Sequence, residues 1–174
     1  MIIQLCGLSG AGKTTLAQYV RKKLTGMNIP NEIIDGDEYR KHVTKHLGFS
    51  RADRMENIRT LGFIASKLSA HRIVAILSAI NPYEEVRLEL KKNYPGVKTV
   101  FIDCSLEELK KRDTKGLYQR AGLPESHPDK VSNLSGVNDP FEIPSSPDLV
   151  IHTDAESVES SAEKLLAFIL KNRE

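Results

Sequence analysis

The chain has 174 residues, 40% apolar and 28% charged, the proportions of an ordinary globular protein with enough length to bury a core without disulfides or structural metal. Its 25 basic and 23 acidic residues leave a formal charge of +2, which excludes binding to nucleic acid or membrane by bulk charge. No apolar run is long enough to span a bilayer, and the first residues enter an apolar strand directly, so neither a membrane anchor nor a signal peptide is expected, and a cytoplasmic place is. One domain over residues 1–174 suits the length. Cys6 and Cys104 each end an apolar run and read as reduced, buried packing residues.

In chain order, Ile2 to Cys6 reads as a short buried strand, and Thr15 to about Gly26 as an amphipathic helix. Between them Gly7-Leu8-Ser9-Gly10-Ala11-Gly12-Lys13-Thr14 fits G-x-x-x-x-G-K-[ST], in the strand-loop-helix setting that this motif requires. The glycines let the backbone wrap a phosphate, so that successive N–H groups and the positive end of the helix face the anion. Lys13 is then placed to reach the β- and γ-phosphates of a nucleoside triphosphate, with the Thr14 hydroxyl as a ligand of Mg2+. Thr15 completes the candidate loop.

Glu32 to Ile34 is a short strand running into Asp35-Gly36-Asp37, and helical patterns follow over Glu38–Leu47 and Ala52–Ala70. The β-branched run Arg72 to Ser78 reads as a buried strand stopped by Asn81-Pro82, and Pro82 is expected to open a helix over Tyr83–Lys92. Val97 to Asp103 is the fourth strand. Ser105, with Glu108 three residues on, has the spacing of a capping box for a helix through Lys111. From Asp113 to Pro147 the pattern dissolves into proline, glycine, serine and asparagine, too long for a plain connection and therefore read as a lid, with Arg112, Lys115 and Arg120 supplying positive charge. Leu149 to Ile151 is a fifth strand and Ser157 to Lys171 a closing helix. Strands alternating with helices predict an α/β fold of the P-loop NTPase type: a doubly wound, parallel, five-stranded sheet with helices on both faces and a lid segment.

In such a sheet ligands bind outside the carboxyl ends of the strands, so Asp35 and Asp37 should face the phosphates as proton acceptor or Mg2+ group, with Asp37 reaching the metal through water. A tight Asp-Gly turn is the competing reading. Arg40 lies one helical turn beyond Asp37, and Arg51, Arg54, Asn57 and Arg59 cluster at the start of the third helix, with Arg54 and Asn57 at i and i+3. A solvated helix face has the same spacing. His42 and His46 are four apart within the expected helix, but no glutamate follows His42 and no third ligand is evident, which disfavours a metal pair. A nucleotide-gated switch shares the phosphate loop, yet has no need of so many arginines and acids at acceptor positions.

These residues together carry a resemblance. GLSGAGKT, Asp35-Gly36-Asp37 with Arg40, Leu47-Gly48-Phe49-Ser50, Asp53-Arg54, Glu56-Asn57-Ile58-Arg59, Pro82-Tyr83 with Arg87, and Arg112-Asp113-Thr114-Lys115-Gly116-Leu117-Tyr118 resemble, in order, the adenylylsulfate (APS) kinase family. The resemblance implies transfer of the ATP γ-phosphate to the 3′-hydroxyl of adenosine 5′-phosphosulfate, with Mg2+, giving PAPS and ADP, by an enzyme that is usually a dimer. It further implies an acceptor held by Asp35 to Glu38, Arg40, Phe49, Arg54, Asn57, the Ile80-Asn81 backbone, Lys115 and Asn133-Leu134. Arg112 and the segment His152 to Glu156, with Glu156 itself, fall on the ATP side. The chain departs from the family pattern at Asn81, where serine is common, at Leu134, where an aromatic stacks on the acceptor base, and in a longer stretch between Tyr118 and Leu134. Those departures leave open a related kinase of another nucleotide-like acceptor, such as cytidine diphosphoramidate.

Overall fold

In the computed structural model, which describes residues 1–173, the strands are β1 (Ile2–Cys6), β2 (Asn31–Asp35), β3 (Val74–Ser78), β4 (Val97–Asp103) and β5 (Leu149–His152). They form one sheet in the order β2-β3-β1-β4-β5, parallel throughout. The middle strand β1 is buried along its length because both faces of the sheet are covered. Ile3 and Leu5 pack with Leu16, Val20 and Leu24 of α1 (Lys13–Gly26) and with Leu165 and Ile169 of α7 (Val158–Asn172). Ile2 faces the other way, towards Ile58 and Leu61 of α3 (Arg51–Ala70) and Val86 and Leu90 of α4 (Glu84–Asn93). This is the doubly wound α/β fold that the alternation of strands and helices predicts. Among the described residues no helix is long and apolar enough to cross a membrane.

The topology places the site. The chain leaves β1 into α1 on one face, whereas it leaves β3 towards α4 on the opposite face. Connections diverging in this way open a crevice at the carboxyl ends of neighbouring strands. Asp35, Ser78 and Leu5 are aligned there by register, since Asp35 pairs with Ser78 and Ser78 with Leu5.

Four local expectations are corrected. Helix α2 (Gly36–His42) starts two residues early and ends five early. Asp35 caps it by accepting from the amides of Asp37 and Glu38, and its far end closes because the amides of Val43 and Thr44 both donate to the Tyr39 carbonyl. His42 and His46 therefore do not share a helix face. Ser105 precedes α5 (Leu106–Arg112) but its side chain caps nothing; its amide donates to Asp154 instead. Pro82 stands before the cap position Tyr83 rather than in the first turn of α4, and the Glu84 amide is capped by the Glu142 carboxylate at 2.7 Å. Finally, the lid segment contains a helix, α6 (Leu117–Ala121). Asp113 starts it, accepting from the amides of Tyr118 and Gln119 at 3.0 and 2.9 Å, and Gly116 allows it with a φ of 63°.

Candidate active site

The phosphate loop is fixed by a close approach that only glycine permits. A Cβ on Gly7 would lie 2.4 Å from the Ile102 carbonyl oxygen of β4, so any side chain there would push the loop off the sheet. Gly12, with a φ of 101°, turns the chain into α1 and offers no side chain to cap it, which leaves the first-turn amides facing the crevice. Lys13 is buried, and its Nζ donates to the Gly7 and Leu8 carbonyls at 2.8 and 2.7 Å. Burial pushes its ammonium down to about 8, so the group carries its charge into the site at a desolvation cost that a phosphate can offset. Thr153, just after β5, donates its hydroxyl to the Ala11 carbonyl at 2.8 Å and ties the loop to the far edge of the sheet.

Three oxygens converge at the end of this loop. The Thr14 hydroxyl lies 3.1 Å from Asp35 Oδ2, to which it donates, and 3.1 Å from the Ser78 hydroxyl. Asp35 uses its other oxygen to cap α2, so its carboxylate is oriented by backbone as well as by Thr14. A set of hydroxyl and carboxylate oxygens is hard and suits Mg2+, a cation that also takes water and phosphate oxygens. Asp37 is placed otherwise. Its side chain is 71% exposed and pairs with Lys115 Nζ at 2.5 Å, whereas the carboxylate in direct contact with Thr14 is Asp35. Ser78 was not singled out from sequence, although its position at the carboxyl end of a buried strand was the available signal.

These groups open into a cavity of about 720 Å³, walled on the phosphate side by Ser9, Gly10 and Gly12 to Thr15 and on the other by Phe49, Arg54, Ile80, Lys115 and Leu134. Phe49 is half exposed, with the guanidinium of Arg40 4.8 Å and that of Arg54 5.4 Å from its ring centre. Arg54 is buried and almost fully engaged: it donates to the Phe49 carbonyl, the Ser135 hydroxyl and the Asn133 carbonyl, and pairs with Asp139 at 3.1 Å. The lid is thereby fastened to α3. At its other end Tyr118, buried on α6, donates its hydroxyl to the Ser9 carbonyl at 2.8 Å. Leu134 is buried and forms an apolar wall together with Val131.

Several expected site residues stand behind the wall rather than on it. Arg40 donates to the carbonyls of Leu47 and Gly48, holding the turn that presents Phe49. Asn57 accepts from the Thr44 hydroxyl at 2.5 Å. Asn81, at a φ of 48° that asparagine tolerates better than most residues, turns its amide to Gln4. Arg112 donates to the Thr153 carbonyl at 2.7 Å, and Glu156 is paired with Lys164 at 2.6 Å, so both lie at the margin beyond the phosphate loop. Arg51 and Arg59 bind Glu142 and Glu85, and Glu89, respectively, away from the cavity. Ser135 and Thr114 line the cavity and were not singled out from sequence; a lid serine carries no pattern of its own.

Comparison with known proteins agrees with this geometry. The profile of the adenylylsulphate kinase family matches residues 1–152. An adenylyl-sulfate kinase of Picosynechococcus sp. is 41% identical over 160 residues, spanning 92% of this chain and 88% of its own length. One from Synechococcus sp. is 44% identical over 154 residues, or 87% and 84% of the two chains. Among solved structures, the APS kinase of Mycobacterium tuberculosis in complex with AMPPNP and APS is similar at a TM-score of 0.88 and 32% identity, covering 97% of this chain and 96% of that one.

Proposed function

The chain belongs to the adenylylsulphate kinase family, and on that premise we propose that its cavity transfers the γ-phosphate of ATP to the 3′-hydroxyl of APS, giving PAPS and ADP. The observation that carries this reading is the continuity of a phosphate loop and an acceptor wall in one cavity, with its two carboxylates, Asp35 and Asp37, at the carboxyl end of β2. Phosphoryl transfer of this kind depends on positioning and on electrostatic stabilisation more than on covalent chemistry. The loop amides and Lys13 hold the β- and γ-phosphates and neutralise charge on the departing ADP. Thr14, Asp35 and Ser78 are the residues that would hold Mg2+, which would supply positive charge against the phosphates. Phe49 and Leu134 offer apolar faces to the acceptor base. Asp37, held by Lys115, is the carboxylate left to accept the hydroxyl proton.

The lid excludes water from this arrangement, since Tyr118 seals it on the phosphate loop and Arg54 on α3. Family membership also supports reading the enzyme as a homodimer, and its need for ATP supports a cytoplasmic place. The single sheet built from strands along the whole chain supports one kinase domain over residues 1–174. Incubation with ATP, Mg2+ and APS, followed by chromatography of the products, should yield PAPS and ADP in equal amounts. ADP without PAPS, or a cytidine-containing acceptor phosphorylated in its place, would remove APS as the acceptor while leaving the phosphate loop assignment intact.

A further inference from the structure

Among the described residues the cavity wall carries four cations, Lys13, Arg54, Lys115 and Arg120. Three are already engaged by the protein. Lys13 donates to two loop carbonyls, Lys115 pairs with Asp37, and Arg54 pairs with Asp139 and binds the lid backbone. Arg120 differs. Its Nε donates to the Asp129 carbonyl at 3.1 Å, and no carboxylate among the described residues pairs with its terminal nitrogens.

The surrounding lid holds this side chain in place. On α6, Tyr118 and Ala121 are buried, which leaves Leu117 and Arg120, three residues apart, on the cavity side. Beyond the helix the chain folds back on itself: Lys130 Nζ donates to the carbonyls of Ala121 and Leu123 at 2.9 and 2.7 Å, and the Val131 amide donates to the Arg120 carbonyl at 3.3 Å. The turn in this stretch supplies the Asp129 carbonyl that anchors the guanidinium. From Val131 the chain continues directly into Asn133 and Leu134 on the acceptor wall.

We propose that Arg120 is an acceptor-binding residue whose terminal guanidinium nitrogens hold the 5′-phosphosulfate of APS from the lid side. A guanidinium presents a planar fork of N–H donors that matches two oxygens of such a group, and anchoring Nε leaves that fork directed and uncommitted. Arg54 has most of its donors committed to lid and loop, so the charge it can offer an acceptor is already shared with Asp139. The inference rests on APS being the acceptor, as argued above.

Steady-state kinetics of Arg120→Ala and Arg120→Lys, with APS and ATP varied in turn, test it. Loss of a charge-assisted hydrogen bond should raise KM for APS about tenfold in Arg120→Ala and leave KM for ATP within about twofold. Arg120→Lys should fall between, because an ammonium keeps the charge and loses the fork. An unchanged KM for APS overturns the proposal, as does a parallel rise in both Michaelis constants or a loss confined to kcat. Arg120→Gln, which keeps a donor for Asp129, decides the matter by the same criteria should the alanine variant fold poorly. Turnover of APS by the wild-type enzyme is measured first: its failure strikes the acceptor assignment, whereas normal wild-type turnover with insensitive variants strikes Arg120 alone.

Discussion

Asp35 and Asp37 show how two like residues at one strand end acquire different surroundings. Asp35 is restrained by two amides and the Thr14 hydroxyl, while Asp37 is exposed and pairs with Lys115. Replacing either by asparagine keeps its size and removes its charge. Asp35→Asn should raise the Mg2+ concentration needed for half-maximal rate, because the oxygen set around Thr14 loses its only anion. Asp37→Asn should leave that requirement unchanged and lower kcat by about two to four orders of magnitude, the range of general-base contributions. Titrating Mg2+ at saturating ATP and APS checks both, and identical Mg2+ dependence in the two variants would remove the division between them.

The lid is not uniform. Residues 117–138 place Tyr118, Ala121 and Leu134 in the core beside the cavity, with Tyr118 reaching Ser9 and Arg54 reaching Asn133 and Ser135. The following residues are bolted to α4. Glu142 caps that helix and pairs with Arg51, its carbonyl accepts from Arg87 at 2.6 Å, and Ser145 donates to Glu84. The first part lines the cavity and the second is tied to α4 away from it, so bound substrates should change the protection of the two parts differently. Hydrogen exchange should show residues 117–138 gaining protection only when ATP and APS are both bound, with residues 141–145 already protected in the free enzyme. Equal protection of the first part with and without substrates would refute a closing lid.

Across the whole molecule, one buried polar network joins the sheet to the lid. Gln4, in the middle of β1, donates to Thr99 on β4 and to the Arg87 carbonyl, and accepts from Asn81. Arg87, 1% exposed, donates to the Asn81 and Glu142 carbonyls at 2.6 Å and binds Glu84. The loop after β3, α4 and the end of the lid thus meet at one guanidinium. Arg87→Ala leaves the Glu84 carboxylate with Ser145 alone and takes the donor from two carbonyls, and should destabilise the protein by about 3 kcal/mol, the lower end of the cost of breaking a buried pair from one side. Urea unfolding measures it; a loss below about 1 kcal/mol, the scale of an exposed pair, would show that the network tolerates a gap.

The amino-acid sequence determined the alternation of elements, the phosphate loop and the family pattern, because these rest on local matters: apolar runs, β-branched residues, and glycines spaced for a loop that only they can form. It placed Lys13, Thr14, Asp35, Phe49, Arg54, Lys115 and Leu134 at a site, and the cavity gathers them. Tertiary structure alone decided which aspartate stands beside Thr14, because that depends on parallel register bringing Asp35 against Ser78. It also decided which partners, 7 to 77 residues away, the side chains of Arg40, Asn57 and Asn81 take. The cap of α4 comes from Glu142, 58 residues downstream of the amide that it satisfies. Residue type and spacing report what a neighbourhood of a few residues can form, whereas hydrogen-bond partners are chosen by whatever the folded chain brings within 3 Å.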